Sequence, residues 1–228
     1  MRPPSSERAF NALPPAVVAL AGLMAAVEVV LWLGGTGLFG GPGGIGWRSL
    51  AIQVAGFWPE VVDHALTTGD IRPWDLARFV TYSFVQGSFI SMMFAAAFLL
   101  AIGKMVGEAA GGRAVLVVFF LSAAVGALAY SALLPDTRPL FGAFPGVYGL
   151  IGGFTFLMWA RLGAMGEPQM QAFSLIGAML GIQLIFALLF GAGNDWVAEL
   201  VAFGTGFALM PLGAAGGAKR ALKRIRRR

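Results

Sequence analysis

Residues 114–134 read AVLVVFFLSAAVGALAYSALL, a stretch of 21 residues without a single charged side chain. An α-helix that crosses a bilayer needs about 20 predominantly apolar residues. Lipid offers no hydrogen-bond partner, so the backbone of such a segment must satisfy its own N–H and C=O groups, and a helix does this within one segment. The stretch therefore predicts a transmembrane helix.

Five more stretches of spanning length lie on either side of this one. A transmembrane barrel would instead show alternating strands of about 10 residues. The sequence therefore predicts an all-α membrane protein, a bundle of six transmembrane helices. The six stretches cover residues 14–33, 80–103, 114–134, 144–160, 172–192 and 196–214.

The composition supports a membrane protein and excludes several other classes. The chain is 58% hydrophobic and only 12% charged, whereas an average soluble domain is about 25% charged. A soluble globular enzyme and a disordered protein are both excluded. The chain has no cysteine and one histidine, so disulfides and thiolate ligands are excluded. We expect no metal site and no cofactor, because zinc sites need three or four N or S ligands.

The connection between the first two stretches, residues 34–79, is unusually long. It mixes charged residues with large apolar ones such as Trp47, Leu50 and Phe57. Long loops with an apolar face of their own often pack on a membrane surface. We expect short amphipathic helices that lie in the outer interface.

The positive charge is concentrated at the C-terminus. Seven of the last ten residues are Lys or Arg, and without them the chain has 9 basic against 11 acidic residues. A basic tail directly after an apolar span is attracted to anionic lipid. We therefore expect anionic lipids, and not nucleic acid, as the partners of the tail.

The distribution of Lys and Arg also predicts the orientation. With both termini in the cytoplasm, 12 basic residues lie inside and 4 lie outside, as the positive-inside rule requires. This divides the chain into a cytoplasmic segment 1–13, a membrane domain 14–214 with loop 34–79 outside, and a basic cytoplasmic tail 215–228. The cationic tail and the compact length suit a bacterial inner membrane.

The segment Gly142-Ala143-Phe144-Pro145-Gly146-Val147-Tyr148-Gly149-Leu150 opens the fourth stretch. It resembles the rhomboid family of intramembrane serine proteases, in which Gly-x-Ser-Gly followed by an apolar, glycine-containing helix carries the nucleophile. Residues 78–84, 103–113 and 198–207 resemble further segments of that family in the same order. The resemblance covers about residues 75–212 and implies the six-helix rhomboid fold.

The two positions that would form the catalytic dyad are both replaced. The resemblance places Phe144 at the nucleophile and Glu199 at the general-base histidine. Serine hydrolysis needs a hydroxyl nucleophile and a base within hydrogen-bond reach. The chain has no serine between Ser131 and Ser174 and no histidine after His64. A small shift of the alignment therefore does not restore the dyad, and we expect Phe144 and its neighbour Pro145 to fill the space of the nucleophile.

Other family positions also differ. The resemblance places Ser91 and Ala95 where the second helix of the family supplies a histidine and an asparagine to the oxyanion hole. Gln86 stands at a further histidine position. Arg78 matches the arginine of a Trp-Arg pair whose tryptophan is replaced here. The pattern predicts a pseudoprotease, a rhomboid fold without the rhomboid reaction.

Two carboxyl groups lie within predicted spans, where a charge is costly. Glu199 lies about one turn inside the sixth stretch, where water and the helix dipole lower that cost, and it has either a structural or a functional role. Glu28 lies deeper in the first stretch. For Glu28 we expect a protonated carboxyl bonded to a neighbouring helix in preference to an ion path.

Small residues mark the faces along which helices approach each other. Ala198, Ala202 and Gly206 recur at small-x3-small spacing in the sixth stretch, and such residues let membrane helices pack closely. Glu199 shares a face with Ala202 and Gly206. We therefore expect Glu199 to face the fourth helix, near Phe144.

We conclude that the sequence predicts a rhomboid-like membrane protein that binds transmembrane segments of other membrane proteins without cleaving them. Two alternatives remain open. One is an active rhomboid-type intramembrane serine endopeptidase. The other is a transporter that moves ions or protons with Glu28 and Glu199.

Overall fold

The computed structural model describes residues 13–38, 40–70, 72–134, 138–181 and 193–214. These residues form α-helices, short 3₁₀ helices and connecting turns. The α-helices are α1 (Pro15–Gly35), α2 (Trp47–Ala55), α3 (Pro59–Thr68), α4 (Pro73–Thr81), α5 (Phe89–Ala110), α6 (Gly112–Leu133), α7 (Phe144–Met165), α8 (described over 174–181) and α9 (Trp196–Ala214).

Four of the helices, α1, α5, α6 and α7, have the length and the hydropathy needed to cross a membrane. The apolar part of α9, Trp196–Leu212, is slightly shorter. The prediction of an all-α membrane bundle is therefore confirmed. The fifth predicted span is described only in its first half, because residues 182–192 lie outside the described ranges, as do the termini 1–12 and 215–228.

The second membrane helix begins and ends later in the sequence than predicted. Instead of residues 80–103, the helix is α5, and it begins at Phe89 because Ser88 caps it. The Ser88 hydroxyl oxygen accepts a hydrogen bond from the backbone N–H of Ser91 at 3.1 Å, which satisfies one of the free donors of the first turn. The preceding residues form a 3₁₀ helix, Tyr82–Phe84, and a short extended connection.

The long loop consists of short helices. A 3₁₀ helix (Gly41–Gly46) and the helices α2, α3 and α4 follow α1. Prolines start α3 and α4 at their first turn, where the missing N–H costs nothing. The expectation of short helical pieces is confirmed, and the side of the membrane on which they lie stays a prediction.

Helix α7 lies at the centre of the bundle and packs against α5, α6 and α9, while α1 packs against α5 and α6. Every residue from Pro145 to Gly153 is buried. The main core combines side chains of α1, α5, α6 and α7. Because α7 is enclosed on all sides at its N-terminal half, residues near its start are surrounded by protein and not by lipid.

Glycines allow α9 to approach its neighbours. A Cβ atom added to Gly206 would overlap the backbone of Gly149 on α7, and one added to Gly152 would overlap the backbone of Phe203. On α6, a Cβ on Gly126 would lie 2.6 Å from the carbonyl oxygen of Ala198. The small-residue face predicted for this helix therefore contacts α6 with Ala198 and α7 with Gly206.

Candidate functional site

Phe144 is the first residue of α7, the position at which the family resemblance places the nucleophile. Its ring is half-buried and packs against the main core. The next residue, Pro145, is buried and lies in the first turn of the helix. A proline fits this place because it needs no N–H partner there. The helix start is therefore intact, and apolar groups occupy it.

Ser91 and Ala95 lie on α5, one helical turn apart. The side chain of Ala95 is fully buried in the main core, in which the residues around the start of α7 also lie. Ser91 is half-buried near the helix start. An alanine side chain has no polar atom, so the position that matches the family's asparagine offers no side-chain donor to an oxyanion.

Glu199 lies in the first turn of α9, where only 5% of its surface is exposed. Its backbone N–H donates to the carbonyl oxygen of Asp195 at 3.1 Å. The carboxylate is close enough to Tyr82 and Tyr148 to act on both hydroxyl groups electrostatically. Tyr148 belongs to α7, so Glu199 interacts electrostatically with a residue of the fourth membrane helix of the sequence. Its expected position near Phe144 stays a prediction.

Tyr82 lies beside this carboxylate in the 3₁₀ helix before α5 and is fully buried. Its hydroxyl donates to the carbonyl oxygen of Ala123 on α6 at 2.9 Å. Burial raises the pKa of the Tyr82 hydroxyl far above its usual range. The neighbouring Ser83 side chain lowers this pKa in part, and the charge of Glu199 raises it. Tyr82 is therefore a neutral hydrogen-bond donor and not a proton acceptor.

Gln86 is also fully buried, in the connection between Phe84 and Phe89. Its Nε2 donates to the carbonyl oxygen of Ser83 at 3.1 Å. Within the described ranges, its Oε1 has no hydrogen-bond partner. A Cβ atom added to Gly142 would lie 3.3 Å from this oxygen. The amide group is therefore next to the backbone of Gly142, two residues before Phe144.

Glu28 forms an ion pair with Arg48, the second residue of α2. The two guanidinium nitrogens Nη1 and Nη2 donate to Oε2 at 3.0 Å and to Oε1 at 2.6 Å. The carboxylate is fully buried, and the arginine side chain is 26% exposed. The carboxyl group is therefore bonded to a neighbouring helix, as expected, and its partner is a cation from the loop.

Arg78 holds α4 against α2. Its Nη1 donates to the carbonyl oxygens of Gln53 at 3.1 Å and Gly56 at 2.8 Å. Its Nε lies 3.8 Å from Asp75 on its own helix. These contacts give Arg78 a structural role in the loop.

The structure brings the predicted residues together in three groups. Phe144 and Ala95 pack in the main core, and Glu199 lies beside the cluster that contains Tyr82 and Ala198. Glu28 and Gln86 meet through Arg48, whose Nη1 also donates to the Gln86 carbonyl oxygen at 2.6 Å. In the described part of the chain, no three His, Asp or Glu side chains are placed to hold a metal ion.

Two residues of this region were missed in the sequence. The sequence pattern gives Arg48 no partner, although Glu28 is the one acidic residue of the first stretch and a buried carboxylate needs a cation. Tyr82 lies in the segment 78–84 that resembles the family, but the sequence gives it no role. The sequence does not indicate its role, because the carbonyl group to which its hydroxyl donates is distant in the sequence and comes close only in the folded chain.

Comparison with known proteins agrees with this arrangement. A model of the rhomboid domain matches residues 73–215, the range that contains α4 to α9. The chain is also 31% identical over 140 residues to Rhomboid-like protease 3 of Toxoplasma gondii. The match covers 60% of this chain and 51% of that protein, so the chain spans about half of that relative's length. The matched range and the helical bundle lead to one conclusion: the chain belongs to the rhomboid family.

Proposed function

We propose that the protein is a rhomboid that has lost proteolysis and binds transmembrane segments of other membrane proteins. The observation that carries this proposal is Phe144 at the start of α7, packed against the core at the position where the resemblance places the family's nucleophile. A phenylalanine cannot attack a carbonyl group. Binding of a membrane-embedded segment requires no nucleophilic attack, so a rhomboid fold without a nucleophile can still bind such a segment.

The other hydroxyl groups near the core do not replace the nucleophile. An attacking serine needs a base within hydrogen-bond reach. Ser83 and Ser122 are fully buried. The Ser122 hydroxyl has no hydrogen-bond partner among the described residues, and the Ser83 side chain interacts with the Tyr82 hydroxyl, which is not a base. Ser131 donates instead to the carbonyl oxygen of Pro59 at 3.2 Å. These contacts support a protein without an activated serine.

The exposed face of α5 is the surface at which we expect a client segment to bind. The outer part of this helix exposes large apolar side chains, among them Ile90, Met93 and Phe94. Ser91 and Ala95, which match the family's site, lie on the same helix. A transmembrane segment that approaches the site from the lipid would meet this face first.

The proposal includes a place in the cell. We expect a bacterial inner membrane, with both termini in the cytoplasm and the basic tail 215–228 on anionic lipid. The distribution of Lys and Arg along the chain supports this orientation, since basic residues are retained on the cytoplasmic side.

The second candidate function is an active intramembrane endopeptidase. It is favoured by the name of the matched relative, a rhomboid-like protease. The transporter alternative has less support, because Glu28 is engaged by Arg48 in a two-pronged ion pair.

Labelling with a fluorophosphonate probe separates the first two candidates. We expect no stoichiometric labelling of the purified protein and no cleavage of a generic transmembrane substrate in liposomes. An active rhomboid protease in the same liposomes serves as the positive control. Labelling at one specific serine, together with cleavage, would disprove the pseudoprotease and support the endopeptidase.

Photo-crosslinking tests client binding independently of cleavage. A photoreactive residue replaces Met93 on α5, and in a matched variant it replaces Val117 on α6, which is equally exposed to lipid at 56% against 55%. We expect intact transmembrane clients to crosslink at position 93 several times more than at position 117. Equal crosslinking at both positions would reject α5 as the binding surface.

A further inference from the structure

The loop after α1 folds back on the end of that helix. Trp47 covers two glycines of this turn: a Cβ on Gly34 would lie 2.5 Å from its ring, and a Cβ on Gly40 would lie 2.7 Å from it. Only glycine leaves room for the indole at this distance. The close packing places the next residue, Arg48, beside α1.

Glu28 lies about two turns before the end of α1, in which each residue adds about 1.5 Å along the helix axis. Arg48 reaches Glu28 from its position beside this helix. Both oxygens of the buried carboxylate accept from the guanidinium group, at 3.0 and 2.6 Å. A fork of two parallel N–H donors matches a carboxylate in both distance and direction. The carboxylate therefore fixes the plane of the guanidinium group.

The same guanidinium group holds a third element. Its Nη1 donates to the carbonyl oxygen of Gln86 at 2.6 Å, in the non-helical connection between Phe84 and Phe89. The Gln86 amide lies against Gly142, whose N–H donates to the carbonyl oxygen of Tyr82 at 2.9 Å. Gly142 has a φ of 104°, in the region that favours glycine.

We propose that Glu28, Arg48 and Gln86 form a clasp, a set of hydrogen bonds that connects the first membrane helix to the entrance of the rhomboid site. The clasp holds this entrance in position. Arg48 is the positioning residue. The carboxylate orients its guanidinium group, and the guanidinium group holds the connection 85–88 against the turn that leads into α7. The inference does not depend on whether the protein cleaves its clients.

Three variants test the clasp: Arg48→Met, Glu28→Leu and the double variant. Arg48→Met alone leaves a buried carboxylate without its cation, and we expect the midpoint of thermal unfolding in detergent to fall by roughly 10 °C. The double variant replaces both charges by apolar groups of similar size, so we expect most of that fall to be recovered.

Hydrogen exchange of residues 84–92 distinguishes positioning from stability. The double variant still lacks the donor to the Gln86 carbonyl group. We therefore expect exchange in this segment to remain roughly tenfold faster than in the unmodified protein, the effect of about one lost hydrogen bond. Residues 150–160 of α7 serve as the internal reference and should exchange as before.

Arg72→Met is the matched control, because Arg72 is an exposed loop arginine whose Nε lies 3.3 Å from Oδ2 of Asp70. It should leave both measurements unchanged. The proposal is overturned if the double variant restores normal exchange at 84–92, since Arg48 would then only stabilise the fold. It is also overturned if exchange rises equally in the reference segment, or if Arg48→Met changes neither measurement.

Discussion

At the scale of single residues, the start of α7 carries the proposal that this protein does not cleave its clients. Phe144 packs in the core where the family resemblance places a serine, and Ala95 is buried where an asparagine would be. Both replacements put apolar atoms at positions that need polar ones. The proposed loss of proteolysis therefore concerns the oxyanion hole as well as the nucleophile.

We predict that restoring the dyad alone does not restore cleavage. The triple variant Phe144→Ser, Pro145→Gly, Glu199→His would have a nucleophile and a base but no side-chain oxyanion donors. Loss of one such donor lowers the rate by about 10²–10³-fold, so turnover of a transmembrane substrate should be undetectable.

The quintuple variant, with Ser91→His and Ala95→Asn added, should be required for any measurable cleavage. Even there, asparagine at the fully buried position 95 must displace core atoms, which costs stability. Robust cleavage by the triple variant would contradict this prediction and would support an intact oxyanion hole built from backbone groups.

Tyr82 is a second residue whose role can be measured alone. Tyr82→Phe removes the donor to the Ala123 carbonyl oxygen and leaves the ring in place. Because that bond is buried, we predict a loss of about 1–2 kcal/mol in the free energy of unfolding, measured by denaturation in detergent.

Thr67→Val is the control for this measurement. It also removes a hydrogen bond to a helix carbonyl group, the one that the Thr67 hydroxyl donates to the carbonyl oxygen of Asp63 at 2.8 Å. Unlike the bond of Tyr82, this hydrogen bond is exposed. Water replaces an exposed bond, so the change should stay within about 0.5 kcal/mol. Equal effects of the two variants would refute the role assigned to the buried hydroxyl.

At the scale of elements, the contact between α7 and α9 is decided by glycines. Gly206 lies so close to the backbone of Gly149 that a Cβ atom would overlap it. Lipid does not drive membrane helices together by the hydrophobic effect, so close van der Waals packing has to hold them. This pair of glycines is therefore a main determinant of the bundle.

We predict that Gly206→Ala strongly destabilises the protein, because the backbone of α7 cannot move away as a flexible side chain could. Overpacking of this kind costs about 1–3 kcal/mol. Gly204→Ala on the same helix is the matched control, since a Cβ there meets nothing within 4 Å. It should be neutral or slightly stabilising, as alanine favours helix over glycine. Similar unfolding midpoints for the two variants would contradict the assigned contact.

At the scale of the whole molecule, orientation follows from charge. The basic tail and the other Lys and Arg residues predict that the termini lie in the cytoplasm and loop 34–79 lies outside. The chain contains no cysteine, so a single introduced thiol reports its own side of the membrane without background.

We predict that Thr68→Cys, at an exposed site at the end of α3, reacts with a membrane-impermeant maleimide in intact cells. Ala221→Cys in the tail should react only after the cells are permeabilised. The opposite pattern would invert the predicted topology, and labelling of both sites in intact cells would reject the even number of spans.

Several properties could be read from the sequence because they depend on composition and local pattern. Apolar stretches without charge predict membrane helices, and the resemblance of residues 142–150 and 198–207 to family segments predicts the rhomboid fold. The small-residue spacing of α9 predicts close packing, and the replacements at Phe144 and Glu199 can be read directly. Each of these depends on neighbours in the chain or on the family resemblance.

Other properties were decided only by the tertiary structure. The start of α5 depends on the cap that Ser88 forms and not on hydropathy, so the second span was placed too early. The partner of Glu28 lies 20 residues away on another helix, and the donor to the Gln86 carbonyl group lies 38 residues away. A buried charge demands a partner on energetic grounds, but which partner reaches it is decided by how Trp47 packs the loop onto α1.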